Sequence, residues 1–235
     1  MQQGTRLRML RELVQRSAAR RGAKPLLRGW FHAFAAIGAV VATIGLLLET
    51  AGDPRRLIAA LVFGLSMVAL YTASSVYHLG TWQGRRYTLL RTIDHASIFL
   101  LIAGTYTPIC MIVLAGVLGQ VVLALIWALA ALGMSGALLA LRLPRWAKAG
   151  QYLAMGWLAL IPLPRLVHIL PMPATAVFAT GGILYTIGAV IYALRRPNPW
   201  PRVFGFHEIF HLFVIGGSLA FLFGIWGWVV PFTPG

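Results

Sequence analysis

Acidic residues and cysteine are the scarcest groups in this chain. Of its 235 residues, five are acidic and one, Cys110, is a cysteine. Charged residues make up 11% of the sequence, whereas a soluble globular domain carries about a quarter. A single cysteine excludes an intramolecular disulfide. With 59% hydrophobic residues, the composition also excludes an ordinary soluble domain.

The sequence contains several long apolar segments. A membrane-spanning helix needs about 20 predominantly apolar residues. The sequence predicts an all-α integral membrane protein, a seven-transmembrane helix bundle, with spans over 30–48, 57–78, 94–114, 117–141, 149–170, 174–194 and 203–230. The fifth span contains Pro162 and Pro164, so we expect it to be kinked or broken there. Residues 30–235 form one predicted domain.

The basic residues predict an orientation. Seventeen of the 20 lie in the N-terminal segment or in the loops after spans two, four and six. By the positive-inside rule the N-terminus is cytoplasmic and, with seven spans, the C-terminus is outside. The net charge of +15 is then matched to an anionic inner leaflet rather than to nucleic acid. Residues 1–29 alternate Arg with Leu, which favours an interfacial amphipathic helix and not a cleavable signal peptide.

Five polar residues fall at one membrane level on this topology. Ser74 and His78 end span two, Asp94 begins span three, and His207 and His211 open span seven. Each of these ends lies on the predicted cytoplasmic side. Residues four apart share a helix face, so His207 and His211 can bind one ion. Ionisable groups at membrane depth indicate a functional site.

Three histidines and a water form a common catalytic zinc set. We predict a metal site of His78, His207 and His211 holding one zinc ion, although histidine also suits copper, nickel and iron. Asp94 is the candidate carboxylate to hold the water or take its proton, and Ser74 to orient the water or a ligand histidine. Taken singly, each of these two residues is more typical of a structural role: Asp94 of an N-cap of span three, which is compatible with the catalytic role, and Ser74 of a back-bonded helical serine.

The remaining histidines and Glu208 are assigned lesser roles. His207 to His211 reads H-E-x-x-H, in which a zincin uses the glutamate as general base. Glu208 points about 100° away from His207 on a helix, so we expect it to meet the basic cytoplasmic loops. His32 could line the same cavity without a pairing partner, His95 should face elsewhere, and His168 lies at the opposite membrane face.

The combined motifs resemble those of the progestin and adipoQ receptor superfamily and its bacterial branch, the hemolysin III family. The resemblance rests on Ser74-x3-His78, Asp94 and His207-x3-His211, together with Arg28-Gly29-Trp30-Phe31-His32. It implies seven spans, a bacterial inner-membrane location, zinc on the three histidines, and Asp94 beside the zinc-bound water. Adiponectin receptors in that superfamily are linked to ceramidase activity, which implies hydrolysis of a lipid amide.

Three functions follow for testing. The first is a zinc hydrolase that acts on an acyl amide or ester of a membrane lipid at the inner leaflet. The second is a non-enzymatic regulator of membrane fluidity or energetics in which zinc is structural. The third is a pore-forming cytolysin, which the lack of a secretion signal and the high apolar content disfavour.

Overall fold

The computed structural model describes residues 24–114, 116–139 and 143–233. These residues are helical apart from short connections. The helices are α1 (Trp30–Thr50), α2 (Pro54–Leu79), α3 (Gly84–Pro108), α4 (Val117–Leu138), α5 (Arg145–Trp157), α6 (Leu163–Ile169), α7 (Met172–Leu194) and α8 (Phe206–Gly224). The interfacial helix predicted within 1–29 falls almost entirely on residues 1–23, which lie outside the described residues.

The predicted transmembrane bundle is confirmed. Among the described residues, six helices are long and apolar enough to cross a membrane, and α5 and α6 make a seventh when the bent pair is counted as one span. Their axes differ by 49° at the break, where Pro162 precedes α6. A proline removes a backbone donor and clashes with the preceding turn. The predicted interruption of span five is therefore also confirmed.

Helix α2 begins with a strong local signal. The Asp53 side chain accepts hydrogen bonds from the backbone N–H groups of Arg55 and Arg56, at 2.9 and 3.1 Å. Pro54 occupies the first turn, where its missing N–H costs nothing. This cap fixes where α2 starts, and the last turn of this 26-residue helix carries His78.

Helix α3 starts well before the apolar stretch that predicted it. Its first residue is Gly84, so Asp94 lies ten residues inside the helix. The alternative that Asp94 caps this helix is wrong, because a cap must precede the first turn. Residues 84–93 are too polar to be included in a span predicted from hydropathy, but they belong to the same helix. Hydropathy identifies the part of a helix that lies in the membrane, and it does not show where the helix begins.

The far end of α3 leaves α-helical geometry. Pro108 ends the regular helix, and Ile109–Val113 continues it as a π-helical turn. Prolines and π-bulges are the usual causes of such local distortions. Gly104 near this end is closely packed, because a Cβ there would lie 2.2 Å from the Ser66 hydroxyl of α2. Helix α3 is the most buried of the spans.

The helices are arranged around a central space. Consecutive helices α1 to α4 pack side by side, α5 packs on α7, and α7 packs on α8. Contact between α1 and α8 closes the bundle, and α3 also contacts α5. Helix α4 packs mainly against α3 and is largely exposed on its outer face. The ends of α2 and α8 that carry the predicted site residues therefore meet inside the bundle.

Candidate metal centre

The three predicted metal ligands converge. His78 comes from the last turn of α2, and His207 and His211 from the first two turns of α8. One ring nitrogen of each lies within 4.8 Å of the others. The Nε2 atoms of His78 and His207 are 3.1 Å apart, although 129 residues separate them. Among the described residues this is the one group of three or more potential ligands that meets.

This donor set suits a metal ion. Zn–N bonds of about 2.0–2.1 Å in a tetrahedron place ligand nitrogens roughly 3.3 Å apart. His78 and His211 are buried, and the Nδ1 atom of His211 has no hydrogen-bond partner among the described groups. Two imidazole nitrogens at 3.1 Å need a shared proton or a cation between them. The three histidines can therefore hold a metal.

Asp94 and Ser74 lie beside this cluster. The Asp94 Oδ2 atom is 3.9 Å from Nε2 of His78, and only 13% of its side chain is exposed. Ser74 is buried one helical turn before His78, with its hydroxyl next to the Asp94 carboxylate. A carboxylate at this distance is not itself bonded to His78 but can reach a small molecule in front of it. The predicted assembly of five residues is thus present.

His32 is more closely involved than its sequence context suggested. Its ring stacks on His211 with centroids 3.7 Å apart and planes 8° from parallel. Its other face meets Tyr71 edge-on, at 5.1 Å. His32 is buried, and neither of its ring nitrogens has a hydrogen-bond partner among the described residues. The expectation that nothing pairs with His32 was wrong, because α1 packs directly against α8.

His95 also departs from the prediction. We expected it to face away, yet its Nδ1 atom is 3.7 Å from Asp94 Oδ2 and 2.7 Å from the Arg91 carbonyl oxygen. The His95 side chain bends back along α3, so its ring lies at the cavity wall. His168, by contrast, is exposed on α6 and takes no part in the cluster, as predicted.

Glu208 has a structural role. Its side chain is fully buried. One carboxylate oxygen accepts the backbone N–H of Gly205 at 2.7 Å, and the other forms an ion pair with Arg28. Both oxygens are therefore engaged, which argues against the zincin role of general base. The predicted meeting with basic residues is confirmed through Arg28, but the buried cap at the start of α8 was not foreseen.

Gly29 sets the distance between the N-terminal segment and His78. Its φ of +91° is costly for any residue with a side chain, and a Cβ there would lie 2.9 Å from Cβ of His78. We expect Gly29→Ala to destabilise the fold by about 1–3 kcal/mol and to lower metal content by moving His78. Thermal unfolding and metal analysis measure both effects.

Gly38→Ala is the matched control for that substitution. A Cβ at Gly38, in the middle of α1, would meet nothing within 4 Å. Alanine favours the helix by up to about 1 kcal/mol relative to glycine. Unchanged stability and metal content in Gly29→Ala would show that the close approach to His78 is unimportant.

The histidines open on a cavity of about 680 Å³. All the helices named above except α4 contribute to its wall, and the charged lining residues that the structure describes lie at the histidine end. Leu114, Leu166 and Leu170 line the opposite end. The volume falls within the range of small-molecule sites. The cavity can therefore accommodate an amphiphile with its polar end at the histidines.

Comparison with known proteins agrees with this architecture. A sequence profile described as Haemolysin-III related matches residues 21–222. The chain is 35% identical to Hemolysin-3 of Bacillus cereus over 204 residues, which cover 85% of this chain and 89% of that protein. It is 32% identical to the Hemolysin-3 homolog of Bacillus subtilis over 194 residues, covering 82% and 88% of the two chains.

A more distant relative is human. The chain is similar to the monocyte to macrophage differentiation factor of Homo sapiens, with 26% identity over 202 residues that cover 83% of this chain and 80% of the human protein. The match of the Haemolysin-III profile and the identity to both Bacillus proteins extend over more than four fifths of the chain. This chain, a multi-pass bacterial membrane protein, therefore belongs to the Haemolysin-III related family.

Proposed function

We propose that this protein is a zinc-dependent hydrolase that cleaves an acyl amide or ester of a membrane lipid, in the manner of a ceramidase, at the inner leaflet. The observation that carries the proposal is the joint position of three histidines and one carboxylate at the mouth of an apolar cavity. Hydrolysis needs an electrophile or metal, a base and a binding site for the acyl chain. All three requirements have candidate residues here.

Each residue has a separate task. His78, His207 and His211 would hold the zinc ion, which supplies Lewis acidity toward a carbonyl group and water. Asp94 takes a proton from the attacking water and returns it to the leaving amine or alkoxide. The C–N or C–O bond breaks, and the products are a carboxylic acid and an amine or alcohol. Ser74, whose hydroxyl faces the Asp94 carboxylate, would orient that carboxylate.

The cavity provides for the acyl chain. Trp157 and Leu160 from span five and Ile183 from α7 line the cavity, and all three side chains are exposed. A lipid chain would reach the cavity past these side chains without leaving the apolar layer. The histidines lie in the last turn of α2 and the first two turns of α8, close to the basic end of the bundle. A linkage between headgroup and chain would reach that depth.

A second function is favoured by one observation. The histidine cluster joins α2 to α8, and His32 of α1 stacks on it. A metal there would hold together elements that are distant in sequence, which is the geometry of a structural site. The protein would then be a non-enzymatic regulator of the membrane, with no lipid turnover.

Metal removal separates the two functions. We expect the purified full-length protein in lipid nanodiscs to contain about one zinc per chain, consistent with a three-histidine site. Chelation should stop the release of fatty acid from a panel of acyl amides and esters, measured by mass spectrometry, and zinc should restore it. A protein whose unfolding temperature falls on chelation, but which releases no fatty acid from any lipid, would support the structural role instead.

A further inference from the structure

In the part of the chain that the structure describes, five basic residues line the cavity at its histidine end. We call them the cationic rim: Lys24, Arg28, Arg91, Arg145 and Lys148. They come from three separate parts of the chain, which are the N-terminal segment, the middle of α3 and the start of α5. The topology therefore brings like charges together around one opening.

The members of the rim are close enough to act on one another. Arg145 is repelled by Arg195, which lies outside the rim, and then by Arg91 and Arg28, while Lys148 is repelled by Arg91 and Arg145. Arg28 and Arg145 also act electrostatically on the His207 ring. Burial and, to a smaller extent, the charge of Arg28 lower the pKa of Lys24. Gathering such charges costs free energy, which a bound anion would offset.

Little within the described part of the chain neutralises the rim. Arg28 has a carboxylate partner in Glu208, and no described carboxylate forms an ion pair with the other four. Lys24 donates to the Gly80 carbonyl oxygen at 2.7 Å, and Arg145 lies over the Tyr192 ring. Five cations against the carboxylates of Asp94 and Glu208 leave an excess of three positive charges.

The positive-inside bias does not account for this convergence. That bias places basic residues near the cytoplasmic surface without directing them to one cavity. Arg85, Arg86, Arg195, Arg196 and Arg202 follow it, and none of them lines the cavity. The residues of the rim therefore share a position on the cavity wall, which the other basic loop residues lack.

We propose that the lipid bound in this cavity carries a phosphate headgroup, which the cationic rim holds while the acyl chain occupies the apolar part. The inference rests on the proposed function for the statement that this lipid is the substrate. A phosphate monoester carries about −1.5 to −2 charges near neutral pH, which suits the excess at the rim. Arginine binds phosphate oxygens through two parallel N–H donors, and lysine adds a point charge.

Binding of two chain-matched lipids tests the proposal. Oleoyl lysophosphatidate and monooleoylglycerol differ by the phosphate alone. We expect the full-length protein in neutral nanodiscs to bind the lysophosphatidate at least about tenfold more tightly, and this preference to weaken as salt is raised. Inorganic phosphate is the third ligand, because the rim could bind the anion without any chain. All titrations are repeated on chelated protein, since a metal would itself attract phosphate.

The variants locate the effect. Arg91→Gln with Lys148→Gln should lower affinity for lysophosphatidate about tenfold and leave monooleoylglycerol binding unchanged. Arg85→Gln with Arg86→Gln removes the same charge from the same end of the bundle, outside the cavity, and should change neither. Arg91→Lys with Lys148→Arg keeps the charge and should bind like the wild type. This charge-preserving pair shows whether lost binding reflects charge or misfolding.

Several outcomes overturn the proposal. Equal binding of the two lipids would do so, as would equal losses in the cavity and control variants. Inorganic phosphate binding as tightly as the lysophosphatidate would show that no lipid is recognised. The two proposals can fail separately. Rim-dependent binding without any hydrolysis would reject the proposed hydrolase and keep the proposal that the rim binds a phosphate headgroup. Hydrolysis confined to uncharged lipids would keep the proposed hydrolase and reject the phosphate headgroup.

Discussion

Asp94→Asn is expected to lower fatty-acid release by about 100- to 10,000-fold while the protein keeps its metal. An amide has the size of a carboxylate but cannot accept a proton from water. The Asp94 Oδ2 atom lies 3.9 Å from His78 and 3.7 Å from His95, so it is near the histidines without being needed to complete their set. Turnover and metal content are measured on the same purified sample.

The Asp94→Asn experiment needs saturating zinc and a matched control variant. Loss of a group beside a metal ligand can weaken metal binding about 10- to 100-fold, so zinc is kept saturating. Asp53→Asn is the matched control, because Asp53 caps α2 at the opposite end of the helix and asparagine also caps well. Full turnover in Asp94→Asn with zinc bound would remove Asp94 from the reaction and leave the base unassigned.

His211→Ala is expected to remove the bound metal, stop turnover and make the unfolding temperature insensitive to added zinc. His211 is one of three ligands, and its ring also supports the stacked His32. A ligand present at about 1,000 times its dissociation constant stabilises the folded state by about 4 kcal/mol. The wild type should therefore unfold at a higher temperature when zinc is added, and the variant should not.

His168→Ala provides the comparison for that loss. His168 is exposed on α6 and lies outside the histidine cluster, so its removal should preserve both zinc content and the zinc-dependent shift. Retention of one zinc per chain in His211→Ala would contradict the three-histidine site. The two histidine variants together distinguish a specific ligand from general binding of zinc to imidazole groups.

Several features of this protein were predictable from the sequence. Apolar runs of about 20 residues identified the spans because a helix must satisfy its own backbone in lipid. Pro162 and Pro164 located the interruption of the fifth span, which bends by 49°. The four-residue spacing of His207 and His211 placed them on one helix face. Their common depth in the membrane then grouped them with His78 and Asp94; the His78 ring meets both histidines, and Asp94 lies beside His78. The orientation of the termini stays a prediction.

Other features depended on the tertiary structure. The stacking of His32 on His211, the return of His95 to Asp94 and the buried cap that Glu208 forms on Gly205 were not predicted. The convergence of the cationic rim also required the packed bundle. The sequence determines how deep each residue lies along a helix, because hydropathy and charge follow the membrane normal. Which way each helix is rotated, and so which side chains meet, is decided only by packing among the helices.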